Sequence, residues 1–389
     1  MWGHYLLTLY RSLTRHGLYA ALNVLGLAVG IAVFVVLVLD VRFETGFDRW
    51  LPHAPLLYRF TSTYSFPGRA PDHMAPSSGA ISAAFRADYP RAGWITRLVD
   101  AERPVTNGPL LGSERTDYVD TDFFDVLDLP MVSGDKSTAL ADPGDVVITE
   151  AIARKYFGGL AVLGRPLTLF YHGKPRVRRI TGVLRDMPAN THLKIGVVAP
   201  LTAAMESDPD SALGLWGAPT TYTYVRFASA PEAKAVAADL QRFVQRRAHD
   251  PATTAGPDIS KVLRLELNPV VGLHFSDAGL MWTMTNGVDA RLVFALGLVG
   301  VLTLAIAILN YVNLATARAA FRAREIALRK VMGATRGVLI AQFLLEAFAY
   351  ALAAEFIGVA LAELSLPLAN TLGGASLRLA YWGAGGVLP

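Results

Sequence analysis

Residues 318–336 read Arg318-Ala-Ala-Phe-Arg322-Ala-Arg324-Glu325-Ile-Ala-Leu-Arg329-Lys330-Val-Met-Gly333-Ala-Thr-Arg336, a strongly basic segment between two apolar stretches. The stretch before it, 292–312, is uncharged, and the stretch after it runs from 338 to 364. Each is long enough to cross a bilayer as a helix. Two membrane helices joined by so short a segment return to the same side, and the positive charge predicts that this side is the cytosol. The segment therefore lies where a cytosolic partner can push on the membrane helices.

The composition indicates membrane helices combined with a substantial polar domain. The 389 residues are 52% hydrophobic and 17% charged, with a mean hydropathy of +0.35. This is too apolar for an ordinary soluble protein and too charged for membrane helices alone. The net charge is +4, yet residues 1–17 carry +2 and residues 315–337 carry +5. The basic charge is concentrated beside the predicted membrane helices, which argues against nucleic-acid binding.

A third apolar stretch, 18–39, follows Arg11 and Arg15 near the N-terminus. Its 22 uncharged residues exceed the roughly 7–15 of a signal-peptide core, and no Ala-x-Ala cleavage site follows. We therefore predict an uncleaved transmembrane helix over 18–42 with a cytosolic N-terminus. Residues 1–17 are predicted to form an amphipathic helix on the cytosolic membrane surface.

Small and polar residues inside the predicted membrane helices are candidates for contacts between helices. Gly26 and Gly30 form a small-xxx-small step that allows another helix to approach closely, although glycine is also common in membrane helices without that role. Glu355 lies near the middle of the third helix, where an acid costs roughly 2.5–3.5 kcal/mol, so we expect it to face the bundle or a partner. The other polar candidates are Asn310, Asn313 and Glu346.

About 240 residues, predicted as a domain over 43–288, separate the first two membrane helices and lie outside the cytosol. The chain has no cysteine, so this domain must be held together by its core and not by disulfides. The residue patterns predict strand-rich segments over 104–119 and 167–184, and helices over 149–157 and 231–247. Loops are predicted over 67–76 and 249–259. The fold class is therefore predicted as three transmembrane helices carrying a large, two-lobed α+β extracytoplasmic domain.

The sequence contains no recognisable catalytic, cofactor or metal motif. Gly134-Asp135-Lys136-Ser137 lacks the glycine spacing of a phosphate-binding loop, and the acidic residues of 117–128 lack the register of a calcium loop. The eight histidines are scattered, without a His-Glu-x-x-His pair. We therefore predict a non-catalytic membrane subunit without a cofactor.

Several motifs together point to a known family. The C-terminal ones are Asn310-Tyr-Val-Asn313-Leu-Ala-Thr-Ala-Arg318, its continuation to Arg336, and Gln342-Phe-Leu-Leu-Glu346. The N-terminal ones are Asn23-Val-Leu-Gly26-Leu-Ala-Val-Gly30 and Val41-Arg-Phe-Glu44-Thr-Gly-Phe-Asp48-Arg. The central ones are Phe123-Phe-Asp-Val-Leu, Gly134-Asp135, Val147-Ile-Thr-Glu150, Lys155-Tyr-Phe-Gly158 and Gly182-Val-Leu-Arg-Asp186-Met-Pro188-Ala-Asn190-Thr-His192. In this order they resemble the MacB/FtsX-type ABC transporter permeases, in which a MacB-like periplasmic core is joined to an FtsX-like permease domain.

The resemblance implies a mechanism. In such systems a separate cytosolic ATPase dimer closes on ATP, and a coupling helix carries this motion to the membrane helices and the periplasmic domain. The coupling residues implied here are Arg318, Arg322, Arg324, Glu325, Arg329, Lys330 and Gly333. Arg322, Glu325 and Arg329 share one helix face, and Gly333 is placed to end the helix. The alternative is an interfacial helix whose arginines contact only lipid phosphates.

The resemblance also sets domain boundaries for the C-terminal part. The FtsX-like domain is predicted over 289–389, with a transmembrane helix over 292–314, the coupling helix over 315–336, a transmembrane helix over 338–366 and an outer loop over 367–389. Members of the family have a fourth membrane helix, and this chain ends before one can form. We therefore expect it to be truncated, or to be the first part of a longer, duplicated chain.

The implied function is that of a permease subunit in the bacterial inner membrane, with a periplasmic domain, serving export or efflux of antimicrobial peptides, macrolide-like compounds or lipoproteins. The implied partners are a cytosolic ABC ATPase, a second copy or paired permease half, membrane lipids, and a periplasmic adaptor or outer-membrane protein. Two alternatives stay open: a non-transporting regulator of a cell-envelope enzyme, and a membrane sensor. The sensor is disfavoured because only about 20 residues separate the second and third helices, far fewer than a signalling domain needs.

Overall fold

The structure is a computed structural model that describes residues 17–208, 211–249, 258–321 and 323–379. It divides into two compact units, of which one is Gly46–Asp289 and the other combines the segments before and after it. The first unit's bounds lie close to the predicted 43–288. The predicted amphipathic helix over 1–17 lies outside the described residues, except for Gly17.

The elements are numbered in chain order. The helices are α1 (Gly17–Thr45), α2 (Ile81–Asp88), α3 (Phe123–Leu127), α4 (Glu150–Phe157), α5 (Ala203–Glu206), α6 (Ala230–Arg247), α7 (Ile259–Val262), α8 (Leu273–Ser276), α9 (Ala290–Phe321), α10 (Ala323–Val331) and α11 (Arg336–Gly373). The strands are β1 (Leu57–Tyr64), β2 (Asp72–Met74), β3 (Ser77–Ser78), β4 (Gly93–Thr106), β5 (Leu111–Val119), β6 (Met131–Gly134), β7 (Asp145–Thr149), β8 (Pro166–Tyr171), β9 (Lys174–Leu184), β10 (Val197–Pro200), β11 (Pro219–Phe227) and β12 (Leu263–Pro269).

Three helices, α1, α9 and α11, are long and apolar enough to cross a membrane, as the sequence predicted. Helix α1 packs against both of the others. A Cβ atom at Gly30 of α1 would overlap the Cβ of Ala307 on α9, so these two backbones approach as closely as glycine permits. A Cβ at Gly358 of α11 would lie 2.9 Å from the carbonyl oxygen of Ala28. Small residues therefore set the packing of this bundle.

Two helix boundaries differ from the prediction. Helix α9 continues to Phe321, so the predicted coupling helix begins within the second membrane helix, and only α10 is a separate element. The reason is local, since 314–321 contains good helix formers and neither Gly nor Pro. Helix α11 continues through Pro367 to Gly373, so the first part of the predicted outer loop is helical. Membrane helices tolerate such a proline because neighbouring groups satisfy the freed backbone atoms.

The unit Gly46–Asp289 is built on one mixed sheet of twelve strands. The strand order is β12-β1-β11-β4-β5-β10-β7-β9-β6, with β2 on β1, β3 on β11, and β8 between β4 and β9. Most neighbours are antiparallel, whereas the pairs β5–β10 and β7–β9 are parallel. The two predicted strand-rich segments are the antiparallel pairs β4–β5 and β8–β9.

Both faces of the sheet are covered by apolar residues, because side chains alternate along each strand. On β1, Phe60 packs with α2 and α6 in one cluster, and Leu57 packs in a second cluster with α3 and α8 on the opposite face. A third cluster lies under α4, around Ile152. The two predicted lobes are therefore halves that share one continuous sheet.

Two of the predicted helices are present, and one predicted loop is partly wrong. Helix α6 matches the prediction over 231–247, and α4 begins after Thr149 and ends at Gly158, whose φ is +73°. Thr149 does not cap α4 with its side chain; the Ala151 N–H donates to Asp186 Oδ1 at 2.8 Å instead. The predicted loop over 67–76 contains β2, which forms only by pairing with β1. Most of the predicted loop over 249–259 lies outside the described residues.

Candidate functional site

The segment between the second and third membrane helices ends in a tight turn. Helix α10 stops at Val331, and Gly333 follows with a φ of +90°, a conformation that favours glycine. The Ala334 N–H donates to the carbonyl of Arg329 at 3.0 Å, which closes the last turn of α10. Only four residues separate α10 from α11, so the two helices are joined without slack.

A side-chain hydrogen bond also joins these two helices. Arg329 Nη1 on α10 donates to Gln342 Oε1 on α11 at 2.8 Å. Arg329 is half-buried, while Lys330 and Gly333 are exposed. The contact fixes α10 to the second turn of α11. Sequence reasoning had placed Gln342 in a family motif without giving it a role.

The remaining predicted coupling residues are placed only in part. Arg318 lies near the end of α9, and Arg324 and Glu325 lie on α10, but their side chains are outside the described part of the structure. Arg322 lies outside the described residues altogether. The shared face of Arg322, Glu325 and Arg329 therefore stays a prediction.

Polar groups also connect the membrane helices. Tyr311 on α9 donates its hydroxyl to the carbonyl of Ala347 on α11 at 3.1 Å. The absence of a side chain at Gly26 leaves room for Asn310, whose Nδ2 lies 3.7 Å from the position a Cβ would take. Asn313 is exposed and Glu346 is half-buried.

Glu355 lies on the outer side of α11. Tyr350, Ala354 and Gly358 are the buried positions of this part of the helix, and Gly358 contacts α1. Glu355 is exposed in the chain, next to Phe356, which is 74% exposed. We expected Glu355 to face either the chain's own bundle or a partner. Its exposed position shows that it does not face the bundle formed by the described residues. Within the described part of the chain, the surface around Glu355 is exposed.

A buried polar network lies where the chain enters the domain after α1. Asp48, three residues beyond α1, accepts hydrogen bonds from Thr191 Oγ1 at 2.7 Å and from the His192 backbone N–H at 3.0 Å. The His192 Nδ1 lies 2.9 Å from the other carboxylate oxygen, close but poorly aligned for a hydrogen bond. The His192 Nε2 lies 2.8 Å from the Tyr224 hydroxyl on β11. Asp48 is thereby held to the centre of the sheet.

Electrostatics keeps Asp48 ionised within this network. Burial raises the pKa of its carboxyl, but the charge of His192 and the hydrogen bonds from His192 and Thr191 outweigh burial, so the pKa lies below its ordinary value. An Asp–His–Tyr chain can relay protons in enzymes, yet these three side chains are at most 2% exposed. No substrate can reach them, so their arrangement serves to fix the backbone. In the described part of the chain, no group of three or more His, Cys, Asp or Glu residues could hold a metal ion.

A buried ion pair fixes the segment by which the chain leaves the domain. Arg59 on β1 donates from Nη1 to Asp277 Oδ2 at 3.0 Å and from Nη2 to Oδ1 at 2.5 Å. Burial alone would lower the pKa of Arg59, but Asp277 raises it, so the guanidinium stays charged. The exit segment is also bound to the entry network, because Thr285 Oγ1 donates to the His192 carbonyl at 3.1 Å.

The entry and exit segments also meet directly. The Phe47 ring stacks on the His274 ring with a centroid distance of 3.6 Å, and the Val288 N–H donates to the His274 carbonyl at 2.9 Å. We call Asp48, Arg59, His192, Tyr224 and Asp277 the connector network. Sequence reasoning noted Asp48 and His192 only as parts of family motifs and did not single out the other three. No local signal identifies them, because their partners are up to 218 positions away along the chain.

Comparison with known proteins identifies both parts of the chain. Residues 20–243 match the family model of the MacB-like periplasmic core domain, and residues 297–384 match that of the FtsX-like permease C-terminal domain. No curated protein matches the sequence.

Three solved structures are similar to part of this chain. One is a domain of a permease protein from Porphyromonas gingivalis, 23% identical, covering 57% of this chain and 92% of that chain, with a TM-score of 0.46. Another is the periplasmic region of MacB from Actinobacillus actinomycetemcomitans, 12% identical, covering 56% and 90%, with a TM-score of 0.37. The third is the extracellular domain of the noncanonic ABC-type transporter YknZ from Gram-positive bacteria, 15% identical, covering 49% and 97%, with a TM-score of 0.34.

Proposed function

Because this chain belongs to the MacB/FtsX family of ABC-type permeases, we propose that it transmits the ATP-driven motion of a separate cytosolic ATPase to its extracytoplasmic domain. The process served is export or efflux, with antimicrobial peptides, macrolide-like compounds or lipoproteins as the substrate class. ATP is hydrolysed by the partner subunit, and this chain supplies the mechanical path.

The hydrogen bond between Arg329 and Gln342 is the observation that best supports this proposal. A force applied to α10 reaches α11 through this bond and through the four-residue turn at Gly333. Hydrogen bonds to charged groups contribute about 1.5–3 kcal/mol, so α10 resists separation from α11. Helix α10 can therefore pass on a push from the cytosol.

Helices α1 and α9 are joined to the domain by segments that the connector network holds in place. Helix α1 ends at Thr45, three residues before Asp48, and α9 begins at Ala290, after the exit segment that Asp277 holds to β1. Both connecting segments are held by buried side chains of the sheet. A segment held in this way transmits a displacement of its helix to the domain better than a mobile linker does.

Reversing the charge at Arg322 and Arg329 tests the coupling role. We expect the R322E/R329E variant to accumulate in the membrane at the normal level, because the apolar helices on either side of the segment are each long enough to insert without it. It should lose copurification of the ATPase, or should uncouple ATP hydrolysis from activity in the reconstituted complex. Normal ATPase binding with normal coupled activity would contradict the proposal and leave the segment as a connector that contacts lipid.

Two further variants show whether a loss of coupling comes from the lost hydrogen bond or from the change in net charge. Gln342→Ala removes the bond from Arg329 without changing any charge, so the ATPase should still bind but coupling should weaken. Arg378→Glu reverses one charge beyond the far end of α11, at an exposed position, and should leave both properties unchanged. A loss of ATPase binding in Arg378→Glu would mean that the assay responds to net charge alone.

The proposed topology places the N-terminus and residues 315–337 in the cytosol and the domain outside, in the periplasm. Ser113 and Ser207 are exposed on the domain, and the chain has no native cysteine. Cysteines introduced at either position should react with an impermeant thiol reagent in intact cells whose outer membrane admits it. Labelling that required lysis would reverse the orientation.

We further propose that the Glu355 surface contacts a second copy of the chain or a paired permease half. A carboxyl group facing lipid is costly, and the chain's own bundle does not cover it. Glu355→Gln should preserve assembly, because it keeps the shape and the hydrogen-bonding capacity. Glu355→Lys should impair assembly, as measured by crosslinking in membranes. Normal assembly of the Lys variant would place this residue in water instead.

A further inference from the structure

The loop between Asp277 and Asp289 presents two large apolar side chains to solvent. It contains no charged residue, and Leu280 and Met284 pack into the core. Met281 and Trp282 lie between them and are 40% and 60% exposed. An adjacent methionine and tryptophan on an uncharged loop form a small apolar projection.

The backbone of this projection is held in place from both sides. The Met281 N–H donates to the His73 carbonyl at 2.9 Å, and the Met281 carbonyl accepts from the Ala75 N–H at 3.0 Å. The Tyr222 hydroxyl donates to the Trp282 carbonyl at 2.5 Å. Trp282 has a φ of +58°, which is uncommon for a bulky residue and persists only where surrounding contacts enforce it. These contacts keep the indole ring pointing outward.

The projection lies on the face of the sheet by which the chain enters and leaves the domain. Leu280 and Met284 belong to the same core cluster as α3 and α8, opposite the face covered by α2 and α6. Trp282 is ten residues from Leu292, where the uncharged stretch of α9 begins. Ten residues span at most about 35 Å, and the loop is more compact because Gly287 packs against the backbone of Ala278. The chain between Trp282 and the apolar part of α9 is therefore short.

We propose that Met281 and Trp282 insert into the interfacial layer of the bilayer, where they bind the carbonyl and headgroup region of phospholipids. Tryptophan favours this layer because its ring is apolar and its N–H can donate to lipid oxygens. The loop carries no Lys or Arg, so the contact relies on apolar insertion and is independent of anionic lipid. It gives the domain a further point of attachment to the membrane besides its two connecting helices. This contact does not depend on an ATPase partner.

Quenching by brominated lipid tests this contact on the full chain. The wild type, Trp282→Phe and Trp94→Phe are reconstituted into nanodiscs of phosphatidylcholine with normal or brominated acyl chains. Trp94 is a matched control because it is 50% exposed but stacks with Arg226 elsewhere on the domain. Bromine quenches only nearby indoles, so Trp282→Phe should remove a clear share of the quenched emission and Trp94→Phe should not. Tryptophans flanking the membrane helices contribute equally to all three proteins.

Two results would overturn the proposal. One is that brominated lipid quenches as much tryptophan emission in Trp282→Phe as it does in the wild type. The other is shielding of Trp282 from aqueous iodide without any quenching by bromolipid, which would assign the projection to a protein partner. Adding anionic phosphatidylglycerol should leave the quenching unchanged, and a strong dependence on it would contradict the apolar mode of insertion.

Discussion

Replacing Asp277 with alanine is expected to lower the free energy of unfolding of the domain by about 3–5 kcal/mol. The substitution leaves the Arg59 guanidinium charged and wholly buried without its partner carboxylate. The loss should appear as a lower urea midpoint of the purified chain in detergent, followed by the fluorescence of the tryptophans in the domain. Since typical domains are stable by only about 5–15 kcal/mol, this one change removes a large fraction of the total.

An exposed ion pair provides the control. Asp72→Ala breaks the contact with Arg69, whose side chain is 57% exposed, and should cost no more than about 1 kcal/mol. The double variant Arg59→Leu/Asp277→Leu removes both charges together and should recover part of the stability lost in Asp277→Ala. If Asp277→Ala cost no more than Asp72→Ala, the connector network would not stabilise the domain as we describe.

Replacing Gly30 with alanine is expected to disrupt the membrane bundle, although alanine is among the mildest substitutions elsewhere. The added methyl group would overlap the Cβ of Ala307, so α1 and α9 would have to separate. Overpacking of this kind costs about 1–3 kcal/mol. We expect a lower thermal midpoint in detergent and reduced accumulation in the membrane.

Gly26 provides a control that shows whether the close approach of α1 and α9 causes the loss of stability in Gly30→Ala. A Cβ at Gly26 would lie 3.7 Å from Asn310, which is ordinary van der Waals contact, so Gly26→Ala should be tolerated. Ala307→Gly should restore Gly30→Ala, because it removes the opposing methyl group. Equal damage from Gly26→Ala and Gly30→Ala would mean that glycine matters for the backbone of α1 and not for the approach of α9.

The sequence by itself determined the membrane helices, because that signal is local. A run of apolar residues longer than the bilayer is thick must form a helix whatever surrounds it, and 18–39 and 292–312 are such runs. The same holds for α6, whose apolar positions repeat with a helical period, and for the turn at Gly333. The family motifs, spread along the chain in order, determined the class of permease.

Only the tertiary structure decided which side chains meet across the fold. Strand β2 looked like a loop because its pairing with β1 is not encoded in its own residues. Arg59 and Asp277 each resemble ordinary surface residues in the sequence and become a buried pair because β1 and the segment after α8 pack together. Likewise, a helical pattern placed Glu355 in the third membrane helix, but its outward direction depends on the contact of Gly358 with α1. The physical reason is that a helix follows from bonds within four residues, whereas burial and pairing depend on groups that are distant along the chain.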